Sequence, residues 1–220
     1  MNLFDILGPV MVGPSSSHTA GAVRIGYISG KLLQDHVVKA EILLHGSFAT
    51  TGIGHGTDKA LIAGLLGMHP DDIRIPASFD LAKKAGMEFT FSTVTLKDAH
   101  PNTAVLRLSG EHGRKIEVQA ASIGGGRILI AKLDGIEVNF TAEKPTLIVH
   151  NVDQPGHVAQ VTTMLAEKQV NIATLQLYRD KRGGYAVMVI ETDQEVPEES
   201  VTWLEQLDGI IKVTYINVEE

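Results

Sequence analysis

The last third of the chain carries the most restrictive pattern in the sequence, an alternation between strand-like and helix-like hydrophobic periodicity. Apolar residues recur every three or four positions over residues 156–168, and again after Pro197, which predicts two helices. Short β-prone runs lie on either side of each helix, at residues 146–149, 172–178, 185–190 and 210–218. The order strand-helix-strand-strand-helix-strand predicts the split βαβ, or ferredoxin-like, fold.

The residues before this pattern predict a second domain, which mixes helices and strands. A helix reaching about Gln34 is expected after the Ser15–Thr19 segment, and another from Thr57 to about Leu66, because residues that cap helices precede apolar positions at helical spacing. Further along, the chain turns to β structure, with candidate strands at residues 88–96, 103–109, 115–122, 128–133 and 136–140. The predicted class is α+β, with domains at residues 1–145 and 146–220.

Composition excludes several functions. The net charge is −7, and no basic run is longer than Lys181-Arg182, so a surface that follows nucleic-acid phosphates is not expected. The chain has no cysteine, which excludes disulfides, thiolate catalysis and cysteine-held metal within it. The apolar stretch at residues 61–68 is too short to span a bilayer, and Met1–Asp5 lacks the basic region of a secretory signal. These features predict a cytoplasmic protein.

The segment Gly13-Pro14-Ser15-Ser16-Ser17-His18-Thr19 combines hydroxyl groups with an imidazole at a predicted helix start. Unpaired N–H groups and the positive end of the helix dipole face outwards there, which favours an anion and disfavours a charged His18. A neutral His18 can accept a proton. The alternative is an ordinary helix cap beside an incidental histidine.

Three further loops carry residues of the same kind. The first is Gly52-Ile53-Gly54-His55-Gly56-Thr57-Asp58, which lacks the ending of a Walker loop and is, taken alone, more typical of a flexible turn. The second, His100-Pro101-Asn102-Thr103, pairs a proton carrier with side chains that bind carboxylates or amines, although a simple turn also explains it. The third has three successive glycines, Gly124, Gly125 and Gly126, where a ligand or a partner chain can approach the backbone closely.

Together, these loops indicate a binding or catalytic site, because a plain scaffold rarely needs three histidine-bearing loops in one small domain. No HExxH or His-x-His motif accompanies them, so a zinc site within the chain is not expected. Five further histidines are interpreted by default as surface or packing residues, with His157 an exception because it follows the Asp-x-Pro-Gly turn: His36, His69, His112, His150 and His157.

The four segments resemble the beta portion of iron–sulfur-dependent L-serine dehydratases, and the Pro-Ser-Ser-Ser-His-Thr stretch at residues 14–19 is the most specific part of the likeness. The last third, with Asp153-Gln154-Pro155-Gly156, resembles an ACT domain, a module that often binds amino acids. The first domain also looks like the allosteric substrate-binding domain of some phosphoglycerate dehydrogenases.

This resemblance implies that the protein takes part in converting L-serine to pyruvate and ammonia, with a [4Fe–4S] cluster as the catalyst. Because cluster irons are normally held by cysteine thiolates and this chain has none, a cysteine-bearing alpha subunit would supply the cluster.

The resemblance also assigns roles to residues. His18 is the first candidate for proton transfer, followed by His55 and His100, while Ser16, Ser17 and Thr19 would contact the substrate carboxylate or hydroxyl. The remaining substrate-binding candidates, which would line the pocket or the contact between the two subunits, are Thr57, Asp58, Asn102, Thr103, Gly124, Gly125 and Gly126.

For the ACT-like domain, a ligand is expected between two such modules, near Pro155, Gly156 and His157 and near Asn171 and Ile172. Sensing of an amino acid and self-association without a ligand are equally compatible with the sequence.

Two other functions remain as alternatives. The same two domains would also suit a non-catalytic protein that binds an amino acid for regulation. A metal-independent hydrolase using Ser16 and His18 is disfavoured, because residues two apart at a helix start do not face each other and no third orienting group is evident.

Overall fold

The computed structural model describes residues 10–217, apart from the side chain of Ile53. The chain divides into two compact units between Gly135 and Ile136, and each unit is described by itself below.

Helices in the first unit form where apolar side chains recur at helical spacing. Ile25, Ile28 and Leu32, for example, are at most 1 % exposed on the inner face of the longest one. A π-helical turn at Ser16–Ala20 leads directly into that helix. The α-helices are α1 (Gly21–Leu33), α2 (Gly46–Thr50), α3 (Thr57–Leu65) and α4 (Ser78–Lys84), and short 3₁₀ turns cover Ile53–His55 and Ile75–Ala77.

Within the first unit the sheet has the strand order β2-β1-β3-β4-β5. Its strands are β1 (Val37–Leu44), β2 (Glu88–Thr93), β3 (Thr103–Gly110), β4 (Lys115–Gly124) and β5 (Arg127–Leu133). β1 pairs with β2 in parallel and with β3 in antiparallel fashion, and β3–β4 and β4–β5 are antiparallel. One face of the sheet is apolar and contacts α1, so the core lies between α1, α3 and the sheet.

Three neighbouring strands of this sheet, β1, β3 and β4, have one end each at the same end of the sheet. Leu44, the last residue of β1, pairs with Ala104 of β3, and Thr103 pairs with Ala121 near the end of β4. The π-helical turn contacts β4, and α2 follows β1 directly at the same end. The four candidate segments, at residues 13–19, 52–58, 100–103 and 124–126, therefore all adjoin helices or strands in this region.

The second unit confirms the predicted ferredoxin-like fold. Its elements are β7 (Thr146–Val152), α5 (His157–Glu167), β8 (Ile172–Arg179), β9 (Tyr185–Thr192), α6 (Glu198–Glu205) and β10 (Ile210–Ile216), and the sheet order is β10-β7-β9-β8. Alternate residues of β7, such as Leu147 and Val149, pack against Val161 and Leu165 of α5 in the unit's apolar core. The predicted end of the last strand, Val218, lies outside the described residues.

The division between the units falls before β6 (Ile136–Phe140), which is part of the second unit and contacts β8 and β9 there. The domain boundary expected at residues 145 and 146 stays a prediction.

The sequence missed α2, which lies where a loop was expected. Its five residues, Gly46–Thr50, are too few to show a helical period. Over residues 10–217, none of the helices combines the length and hydropathy needed to cross a bilayer.

Candidate active site

His18 lies at the centre of a group of hydroxyl-bearing side chains. Its Nε2 atom is 3.2 Å from Ser47 Oγ and 3.2 Å from Thr51 Oγ1. On the other side of the ring, Ser15 Oγ accepts the His18 backbone N–H at 3.2 Å and lies 3.4 Å from Nδ1. The ring also meets Phe48 edge-on, with 5.3 Å between ring centroids. Protein groups thus surround both imidazole nitrogens of the half-buried His18.

His55 is the second imidazole of the site, and its ring centroid lies 5.0 Å from that of His18. Its Nδ1 is 2.9 Å from the carbonyl oxygen of Thr51. Because a carbonyl only accepts, Nδ1 must carry the hydrogen, and Nε2 of the neutral ring must carry the lone pair. His55 is exposed, so this lone pair is available to a substrate.

Gly52 explains how the turn between these histidines forms. A Cβ at this position would lie 2.1 Å from the carbonyl oxygen of Phe48, so no larger residue fits without movement. The Gly52 carbonyl accepts the backbone N–H groups of His55, at 3.1 Å, and of Thr57, at 2.8 Å. The close packing of Gly52 therefore positions the short turn that presents His55.

The 100–103 segment adjoins the same region through the backbone. The Ser47 N–H donates to the Pro101 carbonyl at 2.8 Å, and the His45 N–H donates to the Thr103 carbonyl at 2.9 Å. His100 is exposed, and its Nδ1 accepts the Asn102 N–H at 3.1 Å, which leaves Nε2 facing outwards. Thr103 is buried and donates its hydroxyl hydrogen to the His100 carbonyl at 2.6 Å.

Gly124, Gly125 and Gly126 form the β4–β5 hairpin, and their φ angles are +98°, +62° and +77°. Gly125 and Gly126 are two successive residues in the left-handed region, and they form a type I′ turn. Gly124 accompanies a shift in the β4–β5 pairing register between Ser122 and Gly124. Apart from their chain neighbours, none of residues 10–217 comes within 4 Å of a Cβ built on Gly124 or Gly125. The turn explains the glycines, and the space beside these two is open within the described part of the chain.

Several predicted contact residues already have partners within the chain. Thr57 is fully buried and donates its hydroxyl hydrogen to the His18 carbonyl at 3.1 Å, and Asp58 accepts the N–H of Lys59 at 2.8 Å. Thr19 is 2 % exposed, and its Oγ1 has no hydrogen-bond partner among the described residues. Ser16 and Ser17, which are half-buried in the π-helical turn, are more accessible. Thr57 therefore contacts the backbone of the site from a buried position, while the two serines lie nearer to solvent.

Burial lowers the pKa of His18, and the charge of the neighbouring His55 lowers it further. The sequence predicted the same direction from the helix dipole, but the cause is burial and a second histidine.

Four residues of the site were not among the sequence-predicted candidates, namely Ser15, Ser47, Phe48 and Thr51. Ser15 lay within a recognised motif, where its capping role was visible. The other three come from α2 and its C-cap, and only the tertiary contacts with His18 reveal them.

In the second unit, the two predicted ligand segments lie at opposite ends of the sheet. The turn with Pro155, Gly156 and His157 follows the end of β7, where Val152 pairs with Tyr185. Asn171 is hydrogen-bonded to Asp193 and Gln194 beyond the far end of β9, and Ile172 starts β8 opposite Thr192. Since seven-residue β7 separates these ends, at about 3.3 Å per residue, one chain cannot bring both segments to the same small ligand.

Residues 10–217 contain no cluster of three or more side chains able to hold a metal ion. Together with the absence of cysteine from the whole sequence, this means that the residues of the chain do not fit an iron–sulfur cluster by themselves.

Comparison with known proteins identifies the family. The chain is 40 % identical over 215 residues to the probable L-serine dehydratase beta chain of Bacillus subtilis strain 168, covering 98 % of this chain and 97 % of that one. It is 37 % identical over 216 residues to the L-serine dehydratase beta chain of Peptoniphilus asaccharolyticus, again with 98 % and 97 % coverage. The chain belongs to the L-serine dehydratase beta chain family. Residues 2–85 match the family described as serine dehydratase beta chain, and residues 145–209 match the ACT domain.

This beta-chain family member is also similar to part of a longer enzyme. It is 26 % identical over 200 residues to the D-3-phosphoglycerate dehydrogenase of Methanocaldococcus jannaschii, a match that covers 90 % of this chain and 37 % of that one. The predicted likeness to some phosphoglycerate dehydrogenases is therefore confirmed, and it extends into both units.

Proposed function

We propose that the chain is the beta subunit of an iron–sulfur L-serine dehydratase and that His55 is its proton acceptor. In this reaction L-serine loses water, and the resulting enamine becomes an imine that hydrolyses to pyruvate and ammonia. The observation that carries the assignment is the hydrogen bond from His55 Nδ1–H to the Thr51 carbonyl, since it leaves an exposed Nε2 lone pair beside His18.

The geometry changes the order of the candidate bases. His18 was the first candidate from the sequence, but both of its nitrogens lie within 3.4 Å of protein hydroxyls. His55 has one nitrogen held and one nitrogen exposed, the arrangement that a general base requires. His100 is exposed as well, but its Nδ1 accepts the Asn102 N–H, so Nε2 of the neutral ring carries the hydrogen instead of a lone pair, and we place His100 at the rim of the site.

The remaining candidates divide into contact and support groups. Ser16 and Ser17 would bind the substrate carboxylate or hydroxyl, because they are half-buried polar residues directly before His18 in the chain. Asn102, which is also half-buried, would contribute from the 100–103 segment. Thr19, Thr57, Asp58 and Thr103 would support the loops. The backbone at Gly124, Gly125 and Gly126 would face the substrate or the partner chain.

The cofactor would come from the partner. We propose a [4Fe–4S] cluster held by a cysteine-bearing alpha subunit, because this chain has no cysteine and no metal-binding cluster among residues 10–217. The beta chain would then supply the proton acceptor and part of the substrate pocket. A cytoplasmic location fits this composition.

Co-purification tests the proposal directly. The chain is co-expressed with a candidate alpha subunit, purified under anaerobic conditions, and assayed for iron content and for pyruvate formed from L-serine. We expect an iron-containing complex that is active on L-serine, and we expect the beta chain alone to be inactive. Deamination of serine by the isolated chain, or a complex without activity, would overturn the assignment.

The ACT module favours a second role in regulation. The match of residues 145–209 to the ACT domain, a module that often binds amino acids, supports this role. Pro155, Gly156, His157, Asn171 and Ile172 stay the predicted ligand residues, with each ligand held between two chains. Calorimetry with L-serine and the isolated chain tests this role, and an absence of heat at millimolar serine would leave self-association as the function of the module.

A further inference from the structure

Thr51 contacts both histidines of the site through different atoms. Its side-chain Oγ1 lies 3.2 Å from His18 Nε2, and its backbone carbonyl oxygen lies 2.9 Å from His55 Nδ1. It follows α2 as the C-cap residue, and its own N–H donates to the Ser47 carbonyl at 2.9 Å. One residue thereby connects the two rings.

The hydroxyl hydrogen of Thr51 already has an acceptor. Thr51 Oγ1 donates to the Ser47 carbonyl at 2.9 Å, the usual bond of a threonine to the residue four positions earlier in a helix. With its hydrogen committed, Oγ1 turns its lone pairs towards its other neighbours, Ser47 Oγ at 3.1 Å and His18 Nε2 at 3.2 Å. A lone pair facing Nε2 requires that Nε2 carry a hydrogen.

The rest of the network agrees with this arrangement. If Nε2 of neutral His18 carries the hydrogen, Nδ1 carries the lone pair and can accept from Ser15 Oγ, 3.4 Å away. Ser15 Oγ in turn accepts the His18 backbone N–H. Every hydroxyl hydrogen then has an acceptor, whereas in the opposite tautomer Ser15 Oγ would only accept and its hydroxyl hydrogen would have no acceptor in this network.

We propose that Thr51 is a positioning residue that holds His18 and His55 in opposite neutral tautomers. His18 is held with its hydrogen on Nε2, and His55 with its hydrogen on Nδ1. The inference rests on the proposed function, in which His55 accepts the proton through Nε2. His18 has a different role, because its Nε2–H donates a hydrogen bond and orders the hydroxyl cluster.

Nitrogen-15 NMR of the imidazole rings in the full chain tests this without any turnover. In the wild type we expect His18 to show the Nε2–H tautomer and His55 the Nδ1–H tautomer. Thr51→Val removes the hydroxyl but keeps the shape and the backbone carbonyl, so His18 should populate both tautomers while His55 stays unchanged. Thr51→Ser should restore the wild-type pattern.

Ser47→Ala is the matched control, because it removes the other oxygen near His18 Nε2 and keeps Thr51 Oγ1. We expect it to leave the His18 tautomer unchanged. A wild type with both rings in the same tautomer, a Thr51→Val variant with unchanged His18, or a Ser47→Ala variant with altered His18 would each overturn the proposal.

In the complex with the alpha subunit, Thr51→Val should lower turnover by roughly 10- to 100-fold and change its pH profile, because a misplaced ring costs about that much. Thr51→Ser should stay within about 3-fold of the wild type on the same grounds. If the chain proves not to be a dehydratase subunit, the NMR result still stands, so failure of the function and failure of the inference can be told apart.

Discussion

The two units place their histidines in opposite surroundings. In the first unit, His18 and His55 lie at the edge of a sheet among hydroxyl groups, half-buried and exposed respectively. In the second unit, His150 and His157 are only 2 % and 7 % exposed. The first pair is arranged for contact with a small molecule, and the second pair is part of the packed interior.

The surroundings of an imidazole ring therefore differ between the two units, and the contacting residues account for the difference. His18 has three serine or threonine hydroxyls within 3.4 Å, whereas His150 contacts the Tyr185 hydroxyl inside the sheet. Burial lowers the pKa of both rings, but that of His150 falls to about 4, because its burial is nearly complete and Lys212 adds a positive charge. A lowered histidine pKa alone therefore does not mark a catalytic site in this protein.

The largest expected effect is on activity, and it tests the histidine pair of the first unit. His55→Ala in the alpha–beta complex should lower turnover by about 10³-fold, as loss of a general base does. His36→Ala is the control, because His36 is exposed outside the site and should leave turnover unchanged. Pyruvate formation under saturating L-serine measures both. A complex in which His55→Ala keeps normal turnover would remove His55 from this role.

The second prediction concerns stability and pH in the second unit. Because the pKa of His150 falls from 6.5 to about 4 on folding, the unfolded chain binds more protons in that interval, and stability must fall as the pH falls through it. The contribution is about 3 kcal/mol over the whole window.

Chemical denaturation of the wild type and of His150→Leu between pH 4 and pH 7 measures this effect. The leucine variant should show a shallower pH dependence by up to one proton, since it cannot titrate. Equal slopes in the two proteins would show that His150 is protonated in the folded state or already exposed.

A smaller effect is expected from the turn that presents His55. Gly52→Ala would bring a Cβ to 2.1 Å from the Phe48 carbonyl, which should cost roughly 1–3 kcal/mol of stability and displace His55. Gly54→Ala is the matched control in the same turn, since nothing lies within 4 Å of its Cβ. Thermal unfolding and turnover are compared for both variants. Equal behaviour would mean that the turn adjusts without moving the imidazole.

Periodicity predicted most of the fold. The six elements of the second unit follow from alternating three- to four-residue and two-residue hydrophobic patterns, and each observed element overlaps its prediction. The strands of the first unit were found in the same way. Such patterns report which side chains face a core, and that is most of what determines secondary structure in a compact unit.

The site could be predicted only in part. The high glycine and hydroxyl content of the loops is visible in the sequence, and it predicts His18, His55 and the 100–103 segment as candidates. Thr51 and Ser47 carry no such signal, because a serine or threonine in a five-residue helix is unremarkable until tertiary contacts bring it to a histidine. Which of His18 and His55 is the better candidate for the proton acceptor depends on which ring nitrogen faces an acceptor. The local sequence does not determine that geometry.

The separation of the two predicted ligand segments along β7 has a consequence for any sensing by the ACT module. If both segments must touch one amino acid, occupancy requires association of two chains, so binding and assembly become a single coupled equilibrium. The apparent affinity for the effector would then rise with protein concentration, and dilution alone would release it.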